Sequence, residues 1–176
     1  MKALIAAATA LLLPTAALAQ TSPAPAPAAP AADSVANIYG TALGPGWQSW
    51  PWTGTTSELS LDLNGSARKP IKVQPGSWGA LYLHHDPFDT TPYRGITFLI
   101  QVVSAPMKVQ VIGLVGGKPV PGKSKVIEVA PGGWKKVEFS LADIGADKVQ
   151  LDGLWFQNFS AEPGPAFYIT EISLVE

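Results

Sequence analysis

The stretch Ile96–Val111, which reads ITFLIQVVSAPMKVQV, decides the fold class. Its apolar side chains recur at every second position: Ile96, Phe98, Ile100 and Val102, then Met107, Val109 and Val111. Successive side chains of a β-strand point to opposite faces of the sheet, so this spacing predicts two strands that each bury one face. Lys108 and Gln110 occupy the opposite face of the second strand.

Alternation with period two continues on both sides of this stretch. The further segments are Val35–Tyr39, Trp47–Trp52, Ser57–Leu63, Ile71–Val73, Trp78–His84, Lys125–Val129, Trp134–Leu141, Leu154–Gln157 and Phe167–Val175. Asn64-Gly65, a dipeptide typical of tight hairpin turns, follows the third of them. Residues 36–176 hold all 17 glycines and 12 of the 17 prolines, which disfavours long helices. We therefore predict an all-β fold, a two-sheet antiparallel β-sandwich of roughly ten strands, with one helical turn within Ala142–Ala146.

The same parity predicts the buried core and, by exclusion, the residues that point outward. The predicted core consists of Leu81, Leu83, Ile96, Phe98, Ile100, Val109, Val111, Val137, Phe139, Leu154, Phe156, Ile172 and Leu174.

The first 34 residues differ in composition from the rest. Residues 1–19 have a positive start at Lys2, an apolar run and the small-residue motif Ala17-Leu18-Ala19, which together predict a cleaved signal peptide. Residues 20–34 alternate proline and alanine, a pattern typical of an extended linker. We expect a secreted or periplasmic protein whose β-sandwich domain spans 35–176. Since the chain has no cysteine, the core alone must hold that domain together.

Charge and hydropathy exclude several classes of partner. The formal net charge is −1, and no basic run exceeds two residues, so we expect no nucleic acid partner. After the leader, no stretch approaches the ~20 apolar residues of a membrane span. We also expect no cofactor and no bound metal. His84-His85-Asp86 resembles a metal-ligand cluster, but adjacent strand residues face opposite ways, which favours a polar cluster at a strand end.

The outward-facing polar and aromatic residues form the candidate binding site. Side-chain amides supply paired donors and acceptors, and an exposed aromatic ring can stack on the C–H face of a pyranose. These are the groups that recognise neutral sugars, although an ordinary solvated face remains the alternative interpretation. We expect Trp155 or Tyr82 to supply most of the affinity. The candidate ligand-binding residues are Tyr82, His84, Gln101, Gln110, Trp155 and Gln157.

The segment Trp47–Trp52 contains three tryptophans and has two interpretations. Trp50 and Trp52 share a strand face, whereas Trp47 has the opposite parity, so at least one should belong to the core. We favour a structural role for the segment over a ligand-binding one. No catalytic residues are predicted, because the pattern shows neither two carboxylates across a cleft nor a G-x-S-x-G motif.

Six segments in order resemble a known family: IYGTALGPGWQSWPW from Ile38, PIKVQPGSWGALYLHH from Pro70, YRGITFLIQ from Tyr93, GGWKKVEFSLADIG from Gly132, LDGLWFQN from Leu151 and FYITEISLV from Phe167. The chain is similar here to the jelly-roll carbohydrate-binding modules, with a galactose-binding-like β-sandwich, of secreted microbial glycoside hydrolases. The resemblance implies a non-catalytic domain that binds polysaccharide, here as a stand-alone domain.

The resemblance also implies a point of departure. Many such modules carry acidic residues after the opening aromatic and in the closing strand, where one helps to bind a structural Ca²⁺. Here those places hold Gly40, Thr41 and Thr170, and Glu171 is the carboxylate that remains, so we expect no tightly bound Ca²⁺.

Two further functions are alternatives to glycan binding. The exposed sheet of a periplasmic or cell-surface structural protein could dock a protein partner, for which a broad apolar patch would be evidence. A hydrolase is the third and weakest alternative. Besides a poly- or oligosaccharide, a separate secreted enzyme or a cell-envelope protein is a candidate partner.

Overall fold

The computed structural model describes residues 35–176, so the predicted signal peptide and linker lie outside the described residues. Within that range the chain forms twelve strands and one short 3₁₀ helix, η1. The strands are β1 Asn37–Tyr39, β2 Gln48–Trp50, β3 Thr56–Glu58, β4 Ile71–Gln74, β5 Ala80–Asp89, β6 Gly95–Val102, β7 Met107–Val115, β8 Lys118–Pro119, β9 Lys125–Val129, β10 Lys135–Ser140, β11 Gln150–Asn158 and β12 Phe167–Val175, and η1 is Leu141–Ile144. This confirms the predicted all-β class.

The strands form two six-stranded antiparallel sheets. Sheet 1 has the order β10-β6-β12-β4-β3, with β1 also paired to β12. Sheet 2 has the order β2-β5-β11-β7-β8, with β9 also paired to β7. Most neighbouring strands within a sheet are distant in sequence, because the chain crosses repeatedly from one sheet to the other, as in other β-sandwiches.

Side chains from both sheets interdigitate in one apolar core. Phe98 of sheet 1 and Phe156 of sheet 2 meet edge to face, with ring centroids 5.2 Å apart, and both are buried. All the predicted core residues are buried except Phe139, which is half-buried at the margin with the Lys125 ammonium 5.9 Å from its ring centroid. The predicted core is therefore confirmed at the centre of the sandwich. At the edge strand β10, Phe139 faces the core as predicted but is less buried than expected.

Two local predictions differ from the structure. The predicted strand Ser57–Leu63 is reduced to β3, and Leu59 beyond it is 38% exposed. Asn64 and Gly65 do form a tight turn, with φ of 52° and 78°, but no strands flank it, because the chain on either side makes local contacts such as Asp62 accepting from the Gly65 N–H. The predicted helical turn is η1, which begins slightly earlier than expected. The Ser140 hydroxyl accepts from the Ala142 N–H at its start.

Within residues 35–176, no helix has the length and hydropathy that crossing a membrane requires.

Candidate functional site

The outer face of sheet 2 carries a row of aromatic side chains. Strand register places Trp50 opposite Tyr82, Tyr82 opposite Trp155, and Trp155 opposite Ile112, so one rung across four strands has three aromatic residues. The next rung begins with Gln48 opposite His84. Directly opposed residues share a face of the sheet, and their Cβ atoms lie about 4.5–5.5 Å apart.

These rings contact one another in a continuous cluster, which we call the aromatic face: Trp50, Trp52, Tyr82, His84 and Trp155. Trp50 lies against His84, with centroids 3.8 Å apart and planes 33° apart. Trp50 also meets Tyr82 at 5.4 Å, and Tyr82 meets Trp155 at 6.0 Å, both edge to face. Trp52 meets Trp155 edge to face at 4.7 Å. Edge-to-face contacts are favourable, so each ring is held in place by its neighbours.

Trp50 is the most exposed ring of the aromatic face. Of this residue, 42% is exposed, although it packs against both His84 and Tyr82. Its indole N–H donates to the Gln48 side-chain oxygen at 2.9 Å, which fixes the ring orientation. A large ring that is oriented yet exposed is suited to stacking against a ligand.

Trp155 is half-buried, and its indole nitrogen is shielded from solvent without an acceptor among the described residues. A buried indole N–H normally has a hydrogen-bond partner, so this nitrogen carries a desolvation cost that ring packing must offset. The ring contacts with Trp52 and Tyr82 supply that packing. Trp155 therefore packs beneath its neighbouring rings, whereas Trp50 is the ring of the aromatic face that is most exposed to solvent.

Two amide side chains lie beside the aromatic face on the adjacent rung. Gln157 is opposite Gln110 in the register of β11 and β7. The Gln157 amide donates to the Trp78 carbonyl at 2.7 Å, and the Gln110 amide donates to the Ser124 hydroxyl at 2.7 Å. Each amide is thus oriented by one hydrogen bond, and an amide group has further donor and acceptor capacity for a ligand.

A buried carboxylate lies close to Tyr82. Asp152 accepts from the Gly117 N–H at 2.6 Å, and its second oxygen is buried without a partner in residues 35–176. Burial raises the pKa of the Tyr82 phenol above its ordinary value of 10.0, and the negative charge of Asp152 raises this pKa further. Tyr82 therefore stays a neutral phenol, able to donate and accept hydrogen bonds, throughout the ordinary pH range.

No protein-family model matches the chain, and no curated protein matches it. Several solved structures do. A family 11 carbohydrate-binding module from Clostridium thermocellum, in complex with a β-1,3-1,4-mixed-linked tetrasaccharide, is 15% identical with a TM-score of 0.50, over 74% of this chain and 89% of that one. A family 29 carbohydrate-binding module with an alanine substitution is 15% identical with a TM-score of 0.54, over 77% and 81%. Another family 29 variant, complexed with mannohexaose, is 14% identical with a TM-score of 0.52, over 77% and 86%.

The chain has the fold of these modules. This confirms at the level of architecture the jelly-roll resemblance that the sequence motifs indicated. Identities of this size show a shared architecture.

The residues at the implied Ca²⁺ position do not fit that ion. Glu171 pairs with the Arg68 guanidinium at 2.9 Å, and its side chain is 54% exposed. The Thr170 hydroxyl donates to the Gly40 carbonyl at 2.8 Å. Ca²⁺ takes six to eight oxygen ligands, whereas this position offers one carboxylate that already faces a cation. The Arg68 guanidinium, and not a metal ion, is the positive charge beside Glu171.

The structure brings together five of the six residues predicted for the site. Tyr82, His84, Trp155, Gln157 and Gln110 share the outer face of sheet 2. Gln101 lies on β6 in sheet 1, opposite Tyr168, and its amide donates to the Gly132 carbonyl. The prediction that Gln101 joins the other five is wrong, because parity shows that a residue faces outward but not which sheet it belongs to.

The structure divides the tryptophans of the segment Trp47–Trp52 between two faces. Trp47 is buried and donates to the Val35 carbonyl, as expected for at least one of them, whereas Trp50 and Trp52 lie on the aromatic face. The opposite parity of Trp50 and Trp52 was the signal that these two point the other way.

The adjacent histidines separate onto opposite faces as expected, but the predicted polar cluster at a strand end is wrong, because both lie within β5. His84 lies on the aromatic face, while His85 is buried against Trp47 and Phe88, with centroids 5.1 and 5.2 Å apart. In the described part of the chain, no three acidic, histidine or cysteine side chains are grouped to hold a metal ion.

Proposed function

We propose that residues 35–176 form a non-catalytic domain that binds neutral poly- or oligosaccharide on the aromatic face. The observation that carries this proposal is the exposed and oriented Trp50 ring, continuous with Tyr82 and flanked by neutral amides. Apolar rings match the C–H faces of sugar rings, and amides pair with hydroxyl groups.

The charge pattern supports a neutral ligand. The residues of the aromatic face carry no acidic or basic side chain other than His84, and the chain as a whole has a formal net charge of −1. A site of this kind attracts ligand by stacking and hydrogen bonding, so binding should change little with ionic strength.

Two observations favour binding without catalysis. The solved modules of this fold are described as carbohydrate-binding modules, and two of those compared above hold an oligosaccharide. The buried carboxylate nearest the aromatic face, Asp152, is engaged with the Gly117 N–H, whereas glycoside hydrolysis needs two carboxyl groups flanking the scissile bond.

The proposal includes export. Residues 1–19 have the features of a signal peptide and 20–34 those of an extended linker, which would hold the domain away from a cell-envelope protein or a separate secreted enzyme. Mass spectrometry of the protein recovered from the culture medium and periplasm would test this. A chain that begins at Gln20 is expected, and an uncleaved cytoplasmic chain would contradict export.

Affinity electrophoresis tests the binding proposal directly. The native domain is run through gels that contain mixed-linkage β-1,3-1,4-glucan, a soluble cellulose derivative, glucomannan or galactomannan, with bovine serum albumin as the non-binding reference. We expect retardation by at least one polysaccharide, unchanged by 0.5 M NaCl and lost in Trp50→Ala. A wild-type domain that no polysaccharide retards would overturn the proposal and favour a protein partner for this face.

A further inference from the structure

A second exposed aromatic pair lies at the end of the strands that carry the aromatic face. Trp78 is 45% exposed and Phe159 is 40% exposed, and their rings meet edge to face at 5.4 Å. Trp78 precedes β5, the strand of Tyr82, and Phe159 follows β11, the strand of Trp155. Phe159 is four positions beyond Trp155, a distance of roughly 13 Å along an extended strand.

The two aromatic groups are joined by the polar part of the same face. Gln157, which lies between Trp155 and Phe159 in sequence, donates its amide to the Trp78 carbonyl. An open cavity of about 570 Å³ adjoins Phe159, with Ser160, Lys108 and Glu128 also among its lining residues. The surface from Trp50 to Phe159 thus has aromatic rings at both ends and the Gln157 amide between them.

The backbone conformation of Trp78 is unfavourable for a bulky residue and lowers the stability of the fold. Its φ is 51°, in the left-handed region that a bulky residue rarely adopts and that glycine or asparagine occupies readily. Backbone hydrogen bonds hold it there, because the Trp78 N–H donates to the Ser160 carbonyl at 2.9 Å. Nearly half of the Trp78 residue nevertheless stays exposed to solvent. Strained backbone positions that the surroundings fix are concentrated at functional sites.

The loop that carries Phe159 is also held by hydrogen bonds. Asn158 is buried, and its amide donates to the carbonyls of both Gly76 and Glu162, which ties the two loops together. Trp78 and Phe159 are therefore held in a fixed arrangement. A ligand that binds them loses little free energy to the ordering of loops.

We propose that the Trp78–Phe159 pair is a second stacking subsite for the same glycan, so that the domain binds an extended chain that runs along the β5–β11 direction. The inference rests on the proposed function of the aromatic face. It specifies a linear polysaccharide bound along its length, since a mono- or disaccharide cannot reach both subsites.

Calorimetry with long and short probes tests the inference. The long probes are cellohexaose and mannohexaose, and the short ones are cellobiose and mannobiose, with disaccharide binding followed by NMR shifts of the indole N–H signals. Trp78→Asn suits the left-handed backbone and should keep or raise the melting temperature. We expect Trp78→Asn and Phe159→Ala each to weaken hexasaccharide binding about 2- to 12-fold, the range for one aromatic contact, and to leave disaccharide binding unchanged.

Trp134→Ala is the matched control, because Trp134 is a half-exposed tryptophan packed against Arg68, away from both subsites, and it should bind as the wild type does. Hexasaccharide affinity that is intact in Trp78→Asn but lost in Trp50→Ala would overturn the second subsite and leave the proposed function standing. An equal loss for both probe lengths would also overturn it, since Trp78 would then belong to the first subsite. A wild type that a polysaccharide retards but that binds neither hexasaccharide would overturn the extended-chain inference and leave the proposed function standing, whereas a wild type that no polysaccharide retards would overturn both.

Discussion

The two outer faces of the sandwich have the same backbone architecture and opposite chemistry. On sheet 2 the central rung reads Trp50, Tyr82, Trp155 and Ile112 across four strands. On sheet 1 an equivalent rung reads Glu58, Lys72, Tyr168 and Gln101. Its edge strand adds Lys136 and Glu138, paired at 3.2 Å.

This difference shows what folding alone requires of an outer face. Sheet 1 meets the requirement with solvated charges and one half-exposed tyrosine, as an ordinary surface does. Sheet 2 instead places a tryptophan in solvent and leaves the Trp155 indole nitrogen without an acceptor. The fold does not need either feature, so the aromatic face is where function is to be sought.

The largest effect is expected where the two sheets share a core. Phe98→Ala removes a ring that is 1% exposed and packs against Phe156, so the free energy of unfolding should fall by about 3–5 kcal/mol. Urea denaturation measures this, with Val103→Ala at a position that is 64% exposed as the control. A loss under about 1 kcal/mol would show that the sheets do not depend on one core.

Trp155→Ala should affect both stability and binding. Because the ring is half-buried between Trp52 and Tyr82, we expect a loss of about 1–3 kcal/mol of unfolding free energy, together with loss of polysaccharide retardation. Sequence parity alone makes Trp155 an outward-facing ligand residue, and removal of such a residue would leave the melting curve nearly intact. An unchanged melting curve would restore that interpretation.

Equivalent substitutions on the two faces test the contrast most directly. Trp50→Ala should reduce affinity for the retarding polysaccharide about tenfold or more while changing stability by less than about 1 kcal/mol. Tyr168→Ala, the aromatic of the sheet 1 rung, should leave binding unchanged. Equal losses from both variants in affinity electrophoresis would mean that the faces do not differ in function.

Alkaline pH should weaken the fold slightly through Tyr82. Its pKa is raised in the folded state. Below pH 10 the phenol is protonated in both the folded and the unfolded state, so its ionisation does not change the free energy of unfolding. Above pH 10 the unfolded chain releases this proton more readily, and stability falls as the pH rises. Tyr82→Phe should show a smaller decline between pH 9 and 11 in urea titrations at each pH. An identical decline in the two proteins would argue against a buried phenol.

Chelator treatment should produce no effect. Glu171 is paired with Arg68 rather than arranged for an ion, so excess EDTA should leave the melting temperature unchanged. Arg68→Ala serves as the comparison, with a loss of up to about 1 kcal/mol, typical of an exposed ion pair. A large fall with EDTA that Ca²⁺ reverses would reinstate a structural ion, since a ligand of the native state raises its stability.

Parity in the sequence predicted the class, the core and the outward direction of most site residues, because alternation of side chains is a local property of the strand. It could not assign Gln101 to sheet 1, because pairing between strands distant in sequence is decided by tertiary packing. Nor could it predict the shortness of β3, because local turn contacts replace ladder pairing there. Trp78 opened the predicted strand Trp78–His84, but the strand begins at Ala80 and the left-handed backbone of Trp78 breaks the alternation there, so parity did not assign it to the site. Phe159 was missed because it lies just beyond β11, where alternation carries no information.

The pairing of β1 with β12 brings the first and last strands of the domain together. Asn37 lies opposite Ser173, so the two ends of the folded unit leave it side by side, within about 5.5 Å at their backbones. Such a unit can be spliced into a surface loop of a host protein, or have its original ends joined and new ones opened elsewhere, without a long connector. The turn at Gly116-Gly117 is less suitable as a new opening, because the Gly117 N–H holds Asp152 beside Tyr82, whereas Gly65 lies in an exposed turn far from the aromatic strands in sequence.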